Sequence, residues 1–292
     1  MLEKSVAKLI DRQRIWLDPI ADVLGNAIVR ARTSGGRQAV QVLDFLNGVW
    51  LGHPLHPAIT DVPVGAWTAA FAMDAVDRIV PSDRLKRCAD GAICLGITAG
   101  IGAAASGLAD WQHLAGRDRR LGIMHGLLNL SALTFYTFGL VMRCSKRRSK
   151  GNTLSTLGYA LASFSAYLGG ELVFGSGIGV NRAAWQKPPK DYVAVLPEEE
   201  LVENIPKLVH VNGTPVLLVR SHGRIHVMGE TCTHLGGPLS EGRLTDDDVI
   251  CPWHGSQFNL DTGCVVHGPA TFPEMTYDVR IRNGQIEVKP RL

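Results

Sequence analysis

Two short stretches near the C-terminus, Cys232-Thr-His-Leu-Gly-Gly-Pro-Leu239 and Cys251-Pro-Trp-His-Gly-Ser256, each carry a cysteine followed closely by a histidine. Thiolate sulfur and neutral imidazole nitrogen bind zinc and also bind iron–sulfur clusters. Glycine beside a ligand lets the backbone approach a cluster and donate N–H groups to it. The two stretches therefore predict a metal centre, with zinc as the alternative to an iron–sulfur cluster.

Together with Phe258 and Asp261-Thr-Gly263, the two stretches resemble the cluster-binding loops of the Rieske family. The resemblance implies a [2Fe–2S] cluster in which two cysteines hold a buried iron and two histidines hold an outer one. Replacing two thiolates by imidazoles makes the cluster less negative, which raises its potential to roughly −150 to +300 mV. The ligands implied are Cys232, Cys251, His234 and His254, and Ser256 is implied to donate a hydrogen bond to a bridging sulfide.

The loops differ from those of the quinol-oxidising Rieske proteins, which carry a disulfide between them. Gly236 and Trp253 occupy the positions of that disulfide, so the domain resembles the ferredoxins that supply electrons to aromatic-ring dioxygenases. An oxygenase subunit would also need a second domain with a mononuclear iron held by two histidines and a carboxylate. Only a short stretch follows His254, so we expect an electron carrier and not an oxygenase catalytic subunit. The single thiol of Cys264 is expected to be a packing residue.

Four apolar stretches in the first two-thirds of the chain approach the length of about 20 residues that crosses a bilayer. Four in succession, joined by short basic loops, favour membrane spans over core helices of a soluble domain. In the first, Asp74 and Arg78 are spaced to pair along a helix. In the second, Gly96-x-x-x-Gly100 allows close helix packing in lipid. The stretches are Asp61–Val80, Cys88–Leu108, Leu121–Met142 and Thr153–Gly175.

The motif His53-Pro-Leu-His-Pro-Ala-Ile-Thr-Asp61-Val-Pro-Val-Gly65, with His125-Gly126 and Gly169-Gly-Glu-Leu-Val173, resembles a bacterial four-helix membrane family, domain of unknown function 2231. Some members are fused to cytochrome-type domains, which implies a redox setting. The expected fold is an α + β multidomain chain, with a four-helix transmembrane bundle before an antiparallel β Rieske domain. The expected divisions are an amphipathic arm at 1–50, the membrane domain at 51–182, a linker at 183–190 and the Rieske domain at 191–292.

The four histidines outside the Rieske domain are predicted to lie at one level of the membrane. Ionisable groups within a membrane are costly and usually mark a function. A four-helix bundle can hold a b-type haem between two imidazoles, or offer histidine to a quinone. A metal site with Asp61 and Glu171, and purely structural histidines, are the alternatives. The candidate haem or quinone residues are His53, His56 and His125, with His113 nearby; the prolines around His56 are expected to delay the helix until about Thr60.

The N-terminal arm carries Leu9, Trp16, Ile20, Val23 and Leu24 at helical spacing, which predicts an amphipathic helix on the membrane surface. A solvated helical arm fits the pattern equally well. Basic residues flank the apolar stretches on both sides, so they leave the side of the Rieske domain undecided. They lack interleaved aromatic residues, and we expect contact with membrane lipid and no binding of nucleic acid.

The smaller C-terminal part is predicted to be an antiparallel β domain. Short runs of β-forming residues are separated by turn signals at Asn212-Gly213, His222-Gly223 and Asn283-Gly284. The whole pattern predicts a multi-pass protein of the cell membrane that transfers single electrons to or from a quinone, a reductase or an oxygenase. The rival interpretations are a redox sensor, in which the cluster modulates the membrane half, and the ferredoxin component of an oxygenase system.

Overall fold

The computed structural model of the protein describes residues 9–291, which form two compact units. The first unit consists of residues up to 39 together with 55–178, and it is helical. The second consists of residues 40–54 and the chain from 179 onward, and it is built mainly of β-strands. This is the α + β architecture that the sequence predicts.

Five long helices are present in the described residues, one more than the predicted bundle. The first is divided at Gly36, whose φ of 52° lies outside the helical region. Its last residues, from 40 onward, belong to the β unit. A π-helical turn, Glu171–Gly175, follows the last helix. The helices are α1 (Arg14–Asn47), α2 (Leu55–Ile79), α3 (Asp83–Trp111), α4 (Gly116–Cys144) and α5 (Arg148–Gly170).

Helices α2 to α5 bury small and polar side chains and expose large apolar ones. Ser106 and Ser165 are fully buried, whereas Phe71, Leu95 and Leu130 are exposed on the outer surface. A water-soluble bundle shows the opposite distribution, and close packing of small residues is typical of helices in lipid. Among the described helices, α3 and α4 are long and apolar enough to cross a membrane by length and composition.

Helix α2 begins at Leu55, so the prediction that proline delays the helix to Thr60 is wrong. Pro57 lies in the first helical turn, where the backbone N–H that proline lacks has no helical acceptor. Pro63 lies further inside the same helix and is buried. Position within the first turn, and not the mere presence of proline, decides whether the helix can start.

Four charged side chains, one from each bundle helix, form a charge cluster: Asp74, Asp90, Arg143 and Arg148. Arg143 Nη1 donates to Oδ1 of both aspartates at 3.0 Å, and its Nη2 contacts Asp74. Arg148 Nη1 donates to Asp90 Oδ2 at 2.9 Å. The predicted pair of Asp74 with Arg78 is therefore wrong, because Asp74 faces the bundle interior and its carboxylate is taken by Arg143. Two carboxylates and two guanidinium groups give the charge cluster a net formal charge of zero.

The first part of α1 packs on the helical unit through a face that the apolar pattern of the arm does not include. Leu17 and Ala21 are fully buried. Arg119 of α4 donates to Asp22 Oδ1 at 2.7 Å and to the carbonyl oxygen of Ala21 at 2.8 Å. A helix is present as expected, and its predicted apolar face is mostly exposed; contact of that face with a membrane surface stays a prediction, and residues 1–8 of the arm lie outside the described residues. The exposed side chains are Leu9, Trp16, Ile20 and Val23, while Leu24 is half-buried.

In the described part of the β unit, ten short strands form three antiparallel sheets. The sheet orders are β1-β10-β9, β2-β3-β4 and β5-β6-β7-β8. The three predicted turn signals each connect a two-stranded hairpin, and their residues have positive φ, as at Asn283 (53°) and Gly284 (71°). The strands are β1 (Val193–Pro197), β2 (Lys207–Val211), β3 (Thr214–Ser221), β4 (Arg224–Gly229), β5 (Arg243–Thr245), β6 (Asp248–Ile250), β7 (Gln257–Asn259), β8 (Val265–His267), β9 (Tyr277–Arg282) and β10 (Gln285–Pro290).

Strand β3 links the two hydrophobic cores of the β unit. Alternate side chains point to opposite faces of a strand. Val216 and Leu218 join the core around β9 and β10, whereas Leu217 and Val219 join a second core. That second core contains the thiols of Cys232 and Cys251. The metal-binding loops are therefore anchored directly in a packed interior.

Candidate iron–sulfur centre

The two predicted ligand loops have the same backbone hydrogen-bond pattern. In each, the cysteine N–H donates to the carbonyl oxygen five residues later: Cys232 to Gly237 at 2.9 Å, and Cys251 to Ser256 at 2.8 Å. In each, the N–H four residues after the cysteine donates back to the cysteine carbonyl. The donors of those bonds are glycines with φ of 84° (Gly236) and 80° (Gly255), a conformation that suits glycine.

The loops bring all four predicted ligands together in pairs. The two cysteine side chains are buried, and a hydrogen bond between the thiols lowers the pKa of Cys251 and raises the pKa of Cys232. The imidazole rings of His234 and His254 are half-buried, with their centroids 5.1 Å apart. Burial lowers the pKa of His254, which favours the neutral imidazole that binds iron. The arrangement is a buried sulfur pair and a more accessible nitrogen pair.

The space beside the ligands suits a cluster rather than a single ion. A methyl group on Gly237 would lie 2.8 Å from Cys251 Sγ, so only glycine leaves the sulfur free at this point. In residues 9–291, no three His, Cys, Asp or Glu side chains converge as they would around one ion. Structural zinc needs four protein ligands around one point. In a mixed-ligand [2Fe–2S] centre each iron takes two protein ligands, which is what the two pairs offer.

Ser256 is completely buried beneath the second loop. Its Oγ accepts a hydrogen bond from the N–H of Ala270 at 2.9 Å, so its own proton is available for a different acceptor. Trp253 is mostly exposed beside His254, with ring centroids 6.3 Å apart. Neither Gly236 nor Trp253 carries a thiol, and the six cysteines are all free.

Two buried glutamates support the first loop, and the sequence analysis did not identify them. Glu274 Oε1 accepts the N–H of Thr233 at 2.8 Å, and Glu230 accepts the N–H and the hydroxyl of Ser240 at 2.9 and 2.6 Å. Burial raises the pKa of both carboxyl groups. Glutamate is rarely fully buried unless it is paired, but a single sequence does not reveal which glutamates are buried.

In the helical unit, the structure brings two of the candidate histidines together. The rings of His56 on α2 and His125 on α4 have centroids 6.1 Å apart and are perpendicular. His53 belongs to the other unit, and its Nδ1 lies 3.3 Å from the carbonyl oxygen of Pro54. Asp61 is exposed, and Glu171 forms an ion pair with Arg117 at 3.0 Å. The His56–His125 pair is therefore the part of the predicted second site that the geometry assembles.

Comparisons with known proteins divide the chain at the same two regions. Residues 191–280 match the family described as Rieske [2Fe-2S] domain, and residues 52–182 match the family described as predicted membrane protein (DUF2231). The ferredoxin CarAc of Metapseudomonas resinovorans is 33% identical over 84 residues, which cover 29% of this chain and 78% of CarAc.

Two further similarities fall in the same part of the chain. Human apoptosis-inducing factor 3 is 34% identical over 103 residues, which cover 35% of this chain but only 17% of that protein. The ferredoxin of carbazole 1,9a-dioxygenase from Nocardioides aromaticivorans IC177 is a solved structure with 26% identity and a TM-score of 0.33. The alignment covers 35% of this chain and 100% of that structure. The chain therefore belongs to the Rieske [2Fe–2S] family, and it joins a Rieske domain to a predicted membrane domain of the DUF2231 family.

Proposed function

We propose that the protein is a one-electron carrier of the cell membrane, with Cys232, Cys251, His234 and His254 as the ligands of its [2Fe–2S] cluster. The observation that carries this proposal is the geometry of the two loops, with a buried thiol pair and a half-buried imidazole pair. The cluster supplies reversible one-electron chemistry when it is bound. The more accessible histidines give electrons a short path to the surface, while the hydrophobic core shields the thiols from water.

The residues around the ligands set the potential. Ser256 has a free hydroxyl proton because its oxygen already accepts a bond from the backbone of Ala270. A hydrogen bond to a sulfide stabilises the more negative, reduced state of a cluster, and therefore raises its potential. The loop glycines let backbone N–H groups approach the sulfides in the same way.

Replacing Ser256 with alanine is expected to lower the cluster potential by tens of millivolts without loss of the cluster. A differential stabilisation of about 1.4 kcal/mol corresponds to about 59 mV for one electron. The measurement is a redox titration followed by electron paramagnetic resonance, with Ser221→Ala as the control because that hydroxyl donates to the backbone carbonyl of Asp246, outside the ligand loops. A potential equal to that of the parent would show that the Ser256 hydroxyl does not reach a sulfide.

We propose that all four bundle helices attach the protein to the membrane. Helices α3 and α4 have the required length and apolar composition. Helices α2 and α5 pack with them through buried small residues and the charge cluster, so we infer that the four enter the bilayer as one unit. Exposed apolar side chains on the outside of the bundle, such as Phe138 and Phe164, would contact lipid.

The electron donor that suits the helical unit best is a membrane quinol. His56 and His125 are the paired imidazoles, and each fixes its Nδ1 on a backbone carbonyl, of Ala103 and Ser165 respectively, at 2.8 Å. Haem fits this pair less well, because Asn129 already donates to Nε2 of His125 at 3.1 Å. An imidazole with one nitrogen fixed can still accept a hydrogen bond, and then a proton, from a quinol hydroxyl. A quinol gives up two electrons and two protons in becoming a quinone, so one quinol would reduce the clusters of two protein molecules in successive one-electron steps.

Anaerobic mixing of the oxidised full-length protein with a short-chain quinol tests the carrier function. We expect the visible absorbance of the cluster to bleach, and at least about tenfold more slowly in His56→Asn/His125→Asn, with unchanged reduction by dithionite. A parent protein that dithionite reduces and quinol does not would contradict the quinol donor. A reduced-minus-oxidised spectrum with b-type haem bands, lost in His125→Ala, would instead support haem.

A second candidate function follows from the similarity to CarAc, whose name describes a ferredoxin. In that case the half-buried His234 and His254 would pass electrons to an oxygenase, and the helical unit would serve as an anchor. The quinol experiment separates the two candidates, because an anchor gives no quinol-dependent reduction while a soluble ferredoxin reductase would still reduce the cluster.

A further inference from the structure

Helices α2 and α3 repeat the sequence spacing and burial of α4 and α5. Residues of α2 match residues of α4 that lie 69 positions later, as 56 matches 125 and 74 matches 143. Residues of α3 match residues of α5 that lie 62 positions later, as 103 matches 165. Matched pairs buried on both sides are Pro63 and Ala132, Trp67 and Tyr136, Ala70 and Gly139, Asp74 and Arg143, Ala89 and Gly151, Ile93 and Ser155, Gly96 and Gly158, Ala103 and Ser165, and Ser106 and Leu168.

Three of the matched pairs of α2 and α4 meet one another in space. His56 faces His125, and Trp67 stacks on Tyr136 with ring centroids 4.4 Å apart. Below them Asp74 forms its ion pair with Arg143. Contacts between a residue and its own counterpart occur on a two-fold axis, so α2–α3 and α4–α5 are two hairpins related by an approximate two-fold axis that runs between α2 and α4.

The two histidines occupy equivalent positions in this repeat. Each Nδ1 lies 2.8 Å from the carbonyl oxygen of the matched residue on its neighbouring helix. Each ring also packs against a matched glycine: a methyl group on Gly107 would lie 2.7 Å from Cε1 of His56, and one on Gly169 would lie 3.0 Å from Cε1 of His125. Because a carbonyl only accepts, both neutral rings carry the proton on Nδ1 and a lone pair on Nε2.

The environments of the two histidines differ in the residue that follows one helical turn later. Asn129 follows His125 by four residues, and its amide donates to Nε2 of that ring at 3.1 Å. The matched residue after His56 is Thr60, whose hydroxyl donates to the carbonyl of Pro57 at 2.9 Å instead. Among the described residues, none donates to Nε2 of His56. The residue His56 is half-buried, so the described residues do not fully enclose it.

We propose that His56 alone is the ligand-binding imidazole of the pair, that its open Nε2 accepts a hydrogen bond from the hydroxyl of a quinol, and that Asn129 closes the equivalent position on His125. This inference rests on the proposed exchange of electrons with quinol and adds the single residue that binds. Thr60 is then the residue that keeps the site open, because its side chain is too short to reach Nε2 from the next turn.

Single substitutions of Thr60 and Asn129, the residues that lie one helical turn after the two histidines, test the proposal in the full-length protein. Thr60→Asn places an amide where Asn129 stands in the other hairpin, so it should close Nε2 of His56. We expect the half-saturating concentration of decylubiquinol for cluster reduction to rise at least about tenfold, the equivalent of one hydrogen bond. Thr60→Ser and Asn129→Thr should keep the parent value. Reduction by dithionite and the helical circular dichroism should be unchanged in all three variants.

Each remaining outcome overturns a defined part of the proposal. A Thr60→Asn protein with the parent half-saturation overturns the assignment of His56 and leaves the quinol function in place. An Asn129→Thr protein as impaired as Thr60→Asn shows that the amide of Asn129 takes part in binding, and also overturns the assignment to His56 alone. A parent protein that dithionite reduces and decylubiquinol does not would withdraw the quinol function itself.

Discussion

Replacing Cys251 with serine is expected to leave the protein without its [2Fe–2S] cluster. Cys251 is buried in the hydrophobic core that also holds Cys232, so the iron that the two would hold has no other thiolate within the loops. Hydroxyl oxygen is a harder and weaker ligand for this iron than thiolate sulfur. After reduction, the parent should show the electron paramagnetic resonance signal of a mixed-ligand cluster, and the Cys251→Ser protein should show none.

The chain supplies a matched control for this substitution. Cys264 lies shortly after the second loop but is exposed, and Cys264→Ser should keep the full signal. His234→Cys or His254→Cys should destroy the signal or move the potential far downward, because an added thiolate makes the cluster more negative. Iron-free parent protein that contains one zinc per chain would contradict the iron–sulfur assignment.

The ligand loops were predictable because their chemistry lies in local sequence. The spacing of Cys232 to His234 and of Cys251 to His254 identifies the donor set, and a Gly after each histidine permits the positive φ that closes the loop. The hairpin at Asn283-Gly284 was predictable for the same reason, since the turn depends on two adjacent residues. The apolar stretches likewise indicated the bundle helices, although their ends differ by several residues from the predicted spans.

Features that depend on distant residues were not predictable. Asp74 has Arg78 one turn later in sequence, but Arg143 lies opposite it across the bundle. Leu17 and Ala21, which the apolar pattern of the arm does not include, face the helical unit, because the neighbour that selects this face of α1 is far along the chain. Glu274 reaches Thr233 across 41 residues. For Asp74, local spacing allowed a partner that tertiary packing replaced; for Leu17, Ala21 and Glu274, the partner lies too far along the chain for local spacing to indicate it.

Reversing the charge of Asp74 is expected to destabilise the helical unit strongly. Asp74 and Arg143 are both buried. Asp74→Arg would place three guanidinium groups around the single carboxylate of Asp90. Removing one partner of a buried ion pair costs about 3–5 kcal/mol, and a reversal also adds repulsion. The thermal midpoint of the helical circular dichroism signal in detergent should fall by about 10 °C or more.

The approximate two-fold axis provides a way to restore the charge cluster of Asp74, Asp90, Arg143 and Arg148. Rotation about the axis exchanges position 74 with 143 and position 90 with 152, where Asn152 now stands. Lys86 and Arg148 also exchange, and both are already basic. The variant Asp74→Arg/Arg143→Asp/Asp90→Asn/Asn152→Asp therefore moves the complete charge pattern to the equivalent location, with one aspartate on α4 and one on α5.

We expect this fourfold exchange to recover most of the thermal midpoint that Asp74→Arg loses. The twofold exchange of positions 74 and 143 is the matched control. It restores the ion pair on the axis but leaves Asp90 without Arg143 and places a second carboxylate close to it, so its recovery should be smaller. A fourfold variant no more stable than Asp74→Arg would show that the two hairpins are not equivalent around this cluster. Because the fourfold exchange conserves net charge and side-chain composition, recovery would depend on the symmetry of the positions and not on the amount of charge buried.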